Sequence, residues 1–448
     1  MTWKMNRRQF LATSGAALGS LVVVACGAGG GGGAAQPSST GTVPPEARNR
    51  TRVVFWSAWG GKNGEALQTL VNKFNKSQSD IFVENQYQGT YEELAQKLAT
   101  AMAAKQVPDL VVLSEVTWNK FYLNQTLEPL DDYFKQQQLD RDDYVDPLIN
   151  EGTRQGKTWW VPFARSTPLF YYNRDLFKKA GLPDKAPETW DEVLEAAKEL
   201  KASAGVKKPY AFTTAKNYNA WHFQGNEWQW GGNYSDKELN ILIDKERSLE
   251  AGEWVRKFIH DEGLGYMAED QSVDFANGIC AMTQQSTGSL GEILETAKFE
   301  VGTAFLPKHE HFGCPTGGSG LSIIAASSSD RKQAAFEFIK FLAQPENVVF
   351  WSQQSGYMPV TESARESSQM QEYFKQNPQF KVAVDQLPKT QPQDTARLFI
   401  PNGDQTIGEA LEKIFVRNTP AEQAFKDAAQ RLARDAEDVK QQIQEVGL

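Results

Sequence analysis

From about residue 50 onward, apolar and polar positions fall into short blocks of two different periods. "RVVFW" at 52–56 is a continuous apolar run of the kind carried by a strand buried on both faces. "GEALQTLVNKFNKSQ" then spaces Leu67, Leu70, Val71 and Phe74 at i, i+3, i+4 and i+7, which predicts an amphipathic helix with one buried stripe. "IFVENQYQ" predicts a second strand, and "YEELAQKLATAMAAKQ" a second helix presenting Leu94, Leu98 and Met102. "PDLVVLSE" reads as a third strand, again apolar on both faces. The order β-α-β-α-β predicts a parallel sheet with helices on its faces.

The mixed pattern recurs downstream. "LFYYNRDLFKKAGL" predicts a strand followed by a helix, and "TWDEVLEAAKELKASAG" a helix capped by Thr189. "AAFEFIKFLAQPENVVFWSQQSG" predicts a helical pair broken at Pro345, and the last stretch of the chain is helical throughout. No internal repeat is visible. A patterned region of about 400 residues is longer than one hydrophobic core usually serves, so two domains or lobes are expected.

Before residue 50 the pattern is of another kind. Arg7 and Arg8 precede Phe10, Leu11 and a run of small and apolar residues ending at Ala25, the charged-then-apolar order of an export signal. The run is too short and too rich in Gly and Ser for a membrane span, which needs roughly 20 apolar residues. The paired arginines resemble a twin-arginine signal. "VVAC" resembles the lipobox of bacterial lipoproteins, with Val23 where that box most often has leucine. Residues 1–25 are therefore expected to be a removed signal, and Cys26 the lipid-bearing first residue of the mature chain. Residues 26–49, mostly Gly, Ala, Ser, Thr and Pro, would be a flexible tether. The alternative is a plain secretory signal with an incidental cysteine. Either way the chain is expected outside the cytoplasm, on the periplasmic or cell-surface side.

Composition narrows the function classes. Hydrophobic residues are 40% and charged residues 23% of the chain, as in ordinary globular proteins, so disorder is not expected beyond the tether. Net charge is -9 with no basic run in the mature part, which argues against nucleic acid as a partner. Cys280 and Cys314 are too far apart in sequence for a CxxC motif, and whether they pair is open. "HEH" at 309–311 has a chelating spacing, but between Lys308 and Gly313 it reads as a solvated loop. No metal or cofactor is expected.

Catalytic motifs are missing as well. "GGSGL" around Ser319 has the wrong spacing for a nucleophile elbow, and H-E-x-x-H and the Walker pattern are absent. A G-x-G-x-x-G match within 27–32 sits in the glycine tract with no strand before it. A facing carboxylate pair among 56 acidic residues stays possible on sequence alone.

Three stretches carry a resemblance: "VPFARSTPLFYYNRDLFKKAGLPDKAPETWDEVLEAAKELK", "FANGICAMTQQSTGSLGEI" and "FEFIKFLAQPENVVFWSQQSGYMPVT". They resemble the extracellular solute-binding proteins of ABC importers, in the class that includes the maltodextrin binders, from about Arg52 to about Gln441. Within the class the resemblance narrows to the glycerol-3-phosphate-binding members. It implies a ligand tyrosine at Tyr91 and a ligand glutamate at Glu115. Further ligand positions fall on Ser166, Ser286, Gly318, Tyr357 and Arg397. In "NYNAWHFQGNEWQWGG", Trp221 matches one of two tryptophans that pack on the ligand, and Tyr218 stands in for the other.

The set makes chemical sense for a phosphate ester. Arg397 supplies a fork of donors, the hydroxyls and backbone N–H groups of the others are neutral donors, and Glu115 can accept from glycerol hydroxyls. Trp221 and Tyr218 can floor the carbon skeleton. Taken singly, Trp221 would read as core, Arg397 as a surface arginine and Glu115 as a solvated strand end; the resemblance joins them.

The resemblance also implies an α/β, two-lobed periplasmic-binding-protein fold, type II-like, with the ligand in the interlobe cleft and closure by hinge motion. The expected lobes are 50–164 plus 297–345, and 165–296 plus 346–448, with crossovers near 163–166, 296–300 and 345. The expected function is capture of sn-glycerol 3-phosphate or a glycerophosphodiester by a monomer, for delivery to an ABC permease. Two alternatives stay open: the same role with a sugar or oligosaccharide, and a lipid-anchored hydrolase.

Overall fold

The computed structural model describes residues 45–446. The expected signal and Cys26 lie outside the described residues. Of the expected tether, residues 45–49 are described: Pro45–Ala47 form a 3-10 turn with Ala47 buried and the other four residues exposed.

Two five-stranded sheets organise the chain. The first runs Ile81–Tyr87, Thr51–Ser57, Leu110–Ser114, Gly317–Ile323, Val161–Ser166. Its first three strands are parallel, as the β-α-β-α-β pattern predicts, with Thr51 opposite Ile81 and Phe55 opposite Leu110. Gly317–Ile323 then enters antiparallel to both of its neighbours, so the sheet is mixed and not wholly parallel. The second runs Val301–Ala304, Pro168–Asn173, Met282–Ser286, Tyr210–Phe212, Gly265–Met267. There Pro168–Asn173 is antiparallel to both neighbours.

The apolar runs explain the layering. Along Thr51–Ser57, Val53 and Phe55 enter one core while Val54 and Trp56 enter another, the period of two expected of a strand buried on both faces. Leu110 and Val112 against Val111 and Leu113 repeat the pattern. In the second sheet Leu169 and Tyr171 face the first core, and Phe170 and Tyr172 a third one built with helices Trp190–Ser203, Glu246–His260 and Gly403–Arg417. Helix Gly61–Ser77 buries the predicted stripe Leu67, Leu70, Val71 and Phe74. Helix Tyr91–Ala103 starts from a capping box of Thr90 and Glu93. Thr189 caps Trp190–Ser203, its hydroxyl accepting from the Glu192 N–H at 3.1 Å.

The sheets define two lobes, and the chain passes between them three times. The first passage is at Thr167, between Val161–Ser166 and Pro168–Asn173, close to the expected position. The second is not at 296–300: Val301–Ala304 still pairs in the second sheet, and the chain returns only before Gly317–Ile323. The third is not at 345. Pro345 opens helix Pro345–Ser355, which packs on Gly61–Ser77 in the first lobe, and Pro378–Gln386 is the helix that reaches the strand Val301–Ala304. Pro345 marks no crossing because it only starts a second helix in the same lobe. Cys280 and Cys314 are both buried and free, with burial pushing the Cys280 thiol up to about 12. His309 of "HEH" stacks on Trp230, centroids 4.2 Å apart.

Candidate functional site

A cavity of about 450 Å³ opens between the lobes, and all nine residues named from the sequence line it: Tyr91, Glu115, Ser166, Tyr218, Trp221, Ser286, Gly318, Tyr357 and Arg397. Its size is that of a small-molecule site. Strand ends build much of it. Glu115 follows Leu110–Ser114, while Ser166 and Ser286 close Val161–Ser166 and Met282–Ser286. This is where open α/β sheets place ligands, because backbone groups and the first residues past a strand are free to face outward there.

Gly318 lies opposite Arg165 in the sheet at φ +99°, and a Cβ would stand 2.1 Å from the Ala164 carbonyl oxygen, so only glycine fits. Its own carbonyl accepts from the Glu115 N–H at 3.0 Å. Tyr91, at the first turn of its helix, donates to Ser319 Oγ at 3.1 Å and accepts from Trp59 Nε1 at 3.1 Å. Tyr357 follows the left-handed Gly356 that ends Pro345–Ser355 and stacks on Trp351 at 5.9 Å. Burial pushes the Tyr91 hydroxyl well up and raises that of Tyr357, so both stay neutral.

From the second lobe, Trp221 is held by its indole N–H to the Thr316 carbonyl at 2.9 Å and packs close on Gly317, where a Cβ would come within 2.4 Å of the ring. Tyr218 sits at φ +68° before helix Asn219–Gln229 and donates across the cleft to Glu92 Oε2 at 3.1 Å. Lys62 and Asn63 make further bridges, to Glu295 at 2.8 Å and to the Gly288 carbonyl at 3.3 Å.

Arg397 is 1% exposed and carries the electrostatics of the site. Its Nε donates to Asp404 Oδ1 at 2.5 Å, and its Nη1 is 3.7 Å from Glu115 Oε1. Nη1 is buried and has no hydrogen-bond partner. Glu115 Oε1 takes its hydrogen bond from Gln393 Nε2 instead, at 2.8 Å. Burial raises the Glu115 carboxyl, against the pull of Arg397 and Arg165. Glu92, at the rim, is raised by loss of surrounding water and then by the charge of Asp404.

Sequence reasoning missed Glu92, His222 and Asp404, which line the same cavity. Glu92 and Asp404 each fall in the first turn of a helix, where an acidic residue is expected for the helix dipole and gives no sign of facing a ligand. His222 is one of four histidines in the chain and has no spacing to another that marks a site; its neighbour Trp221 carries the resemblance.

Residues 69–382 match the family described as bacterial extracellular solute-binding protein. Among curated relatives, the sn-glycerol-3-phosphate-binding periplasmic protein UgpB of Escherichia coli (strain K12) is 30% identical over 404 residues, 85% of this chain and 91% of that protein. UgpB of Pectobacterium atrosepticum is 29% identical over 416 residues, 86% and 91% of the two chains. Among solved structures, UgpB from Mycobacterium tuberculosis in complex with glycerophosphocholine is 38% identical with a TM-score of 0.83, covering 86% of this chain and 98% of that one. Maltose-bound MalE3 of T. maritima, at 23% identity and a TM-score of 0.74, covers 86% and 99% and shares the fold.

Proposed function

The chain belongs to the bacterial extracellular solute-binding proteins, and from that premise we propose that its ligand is a glycerophosphodiester or sn-glycerol 3-phosphate, captured between the lobes and handed to an ABC permease. Members of this family bind solutes, so the chain is not an enzyme and the hydrolase alternative falls. The observation that carries the ligand reading is Arg397 Nη1, a charged donor buried in the cavity wall without a hydrogen-bond partner. An unpaired buried guanidinium N–H is costly, and an anionic oxygen is the partner that relieves it best. The nine residues carried over from the resemblance are the proposed contacts. The likeness of the chain as a whole to the relatives named for sn-glycerol 3-phosphate, and to the structure solved with glycerophosphocholine, supports the choice of ligand.

Charge accounting favours the diester. Glu92, Glu115, Asp270, Glu292 and Asp404 line the cavity with Arg397 as its one lining arginine, so the lining is net acidic even with Arg165 also acting on Glu115. A phosphomonoester brings close to two negative charges at neutral pH and a diester one, and the second charge meets only repulsion here. A diester whose alcohol is cationic gains from the same carboxylates.

The sugar reading keeps one observation in its favour: Trp221, Tyr218 and the carboxylates would also suit neutral hydroxyls above an aromatic face. Calorimetry with Arg397→Ala and Trp221→Ala against glycerophosphocholine, glycerol 3-phosphate, maltose and trehalose separates the two. For a phosphate ester, loss of Arg397 costs about 2–5 kcal/mol and loss of Trp221 about 1–3 kcal/mol. A larger loss at Trp221 than at Arg397, with a sugar as the best ligand, replaces the phosphate reading. The proposal includes export by the arginine-pair signal, anchoring through a lipidated Cys26, a monomeric state, and the nearby end of the tether docked at Ala47.

A further inference from the structure

Behind the wall of the main cavity lies a second chamber of about 20 Å³. His222 is the residue that lines both. Its walls are mixed: Ala211, Phe212, Phe223 and Phe415 give an apolar side, and Tyr210, Asn219, His222, Asn226 and Gln284, each less than a tenth exposed, a polar one. Five atoms of these residues are buried with no hydrogen-bond partner: Tyr210 OH, Asn219 Oδ1, His222 Nδ1, Asn226 Nδ2 and Gln284 Nε2. Orphaned polar atoms gathered around a space of that size are the conditions under which an interior water is retained, since a site needs about 10–15 Å³ and two to four partners.

We infer that His222 is a ligand-contacting residue of the main cavity, held as the Nε2–H tautomer by a water in the small chamber, and that its Nε2–H donates to an anionic oxygen of the ligand beside Arg397. The hydrogen-bond count supports that tautomer. The Asn226 and Gln284 amides are donors, so the water accepts from both. Its two hydrogens then go to the acceptors, Asn219 Oδ1 and His222 Nδ1, while Tyr210 O–H, the fifth orphan, is one more donor, so that donors outnumber acceptors. An imidazole that accepts at Nδ1 carries its proton at Nε2, the nitrogen left to face the cavity. Burial and the charge of Arg397 push the His222 pKa down to about 3, so the ring is neutral and has one donor and one acceptor to place. The ring packs edge-to-face with Trp221, centroids 4.9 Å apart, which restricts its direction. A neutral donor adds a hydrogen bond to the ligand without adding charge, which suits a diester carrying a single negative charge.

The inference rests on the reading of the ligand as a phosphate ester, and the test separates the two. In the full chain, with histidine rings labelled with nitrogen-15, the His222 spectrum is expected to show the Nε2–H tautomer, with the Nε2 resonance moving when glycerophosphocholine is added. In calorimetry His222→Phe is expected to weaken glycerophosphocholine and glycerol 3-phosphate by about 10-fold to 100-fold, the range of a hydrogen bond to a charged group. His222→Gln, whose amide reaches toward the same place, is expected to restore most of the loss. Phosphate-ester binding within threefold of wild type in a folded His222→Phe chain overturns this inference alone. An Nδ1–H tautomer in the unaltered chain overturns it too, and that spectrum decides if the phenylalanine variant fails to fold. A wild-type chain that binds sugar and no phosphate ester overturns both readings together.

Discussion

Asp404→Asn tests the charge accounting around Arg397 with a sign that is easy to get wrong. The Asp404 carboxylate is 2.5 Å from Arg397 Nε, on the side of the guanidinium away from the unpartnered Nη1. An anionic oxygen bound at Nη1 would stand about 6 Å from that carboxylate, given ordinary hydrogen-bond lengths on either side of the guanidinium. Two unit charges at that distance interact by about 3 kcal/mol at an effective dielectric of about 20 and by less than about 1 kcal/mol in bulk water. For a cleft wall between these limits, about 1 kcal/mol per ligand charge is a working value. The asparagine keeps an acceptor for Nε and removes the repulsion, so the change should tighten binding. A diester gains about fivefold, and a monoester, with nearly twice the charge, about 10-fold to 30-fold. A cationic head, which the carboxylate had attracted, reduces the gain of the diester further. Titration calorimetry at low salt with glycerol 3-phosphate and glycerophosphocholine on both chains measures the shift. Weaker binding of both ligands in Asp404→Asn, or an equal gain for the two, would refute the argument that the site is too negative for a monoester.

Other expectations follow from single residues. Glu227 is fully buried, and its pKa is raised to about 8 by that burial. A raised carboxyl holds its proton when the unfolded chain has released it, so stability is greatest at acid pH and falls as pH rises toward 8, by about 3 kcal/mol between pH 5 and 7.5. Glu227→Gln should flatten that fall and raise Tm at pH 7.5, and an unchanged pH slope in thermal melts counts against it. Gly318→Ala must move a backbone held at φ +99° with its Cβ 2.1 Å from a carbonyl oxygen, a strain of about 1–3 kcal/mol, and should lower Tm and weaken ligand binding together. Cys26→Ser should release a folded protein from the membrane fraction, and unchanged retention removes the lipid anchor.

The strands and helices were legible because their burial is local in sequence. Val53 to Trp56 are apolar on both faces and buried on both, and Leu67, Leu70, Val71 and Phe74 form one stripe that meets one core. Sheet order was not legible. The strand that completes the first sheet, "GGSGLSI", has little hydrophobicity of its own and pairs with segments some 150 to 200 residues earlier, a choice made by tertiary packing. The position of the last crossing was misread because a helix break at Pro345 looks the same whether the next helix stays in its lobe or leaves it. At the site, the nine residues came from resemblance, and the fold gathers them from both lobes into one cavity. Glu92, Asp404 and His222 carry no sequence mark, since two of them look like ordinary first-turn acids and the third lies in a helix with every side chain buried.

The placement of Gly317–Ile323 between Leu110–Ser114 and Val161–Ser166 also orders events in time. As the chain leaves the ribosome, two strands of the first sheet wait with open edges, and the segment that closes the gap arrives only after most of the other lobe has been made. That lobe in turn lacks helix Ala421–Val446, which packs on Gly403–Arg417 and Glu246–His260, until more than 400 residues have been made. Neither half can be finished early, so the nascent chain exposes unpaired strand edges for most of its synthesis and must rely on late, long-range closure. Splitting the gene at a lobe boundary would therefore give two fragments that each lack a piece of their own core.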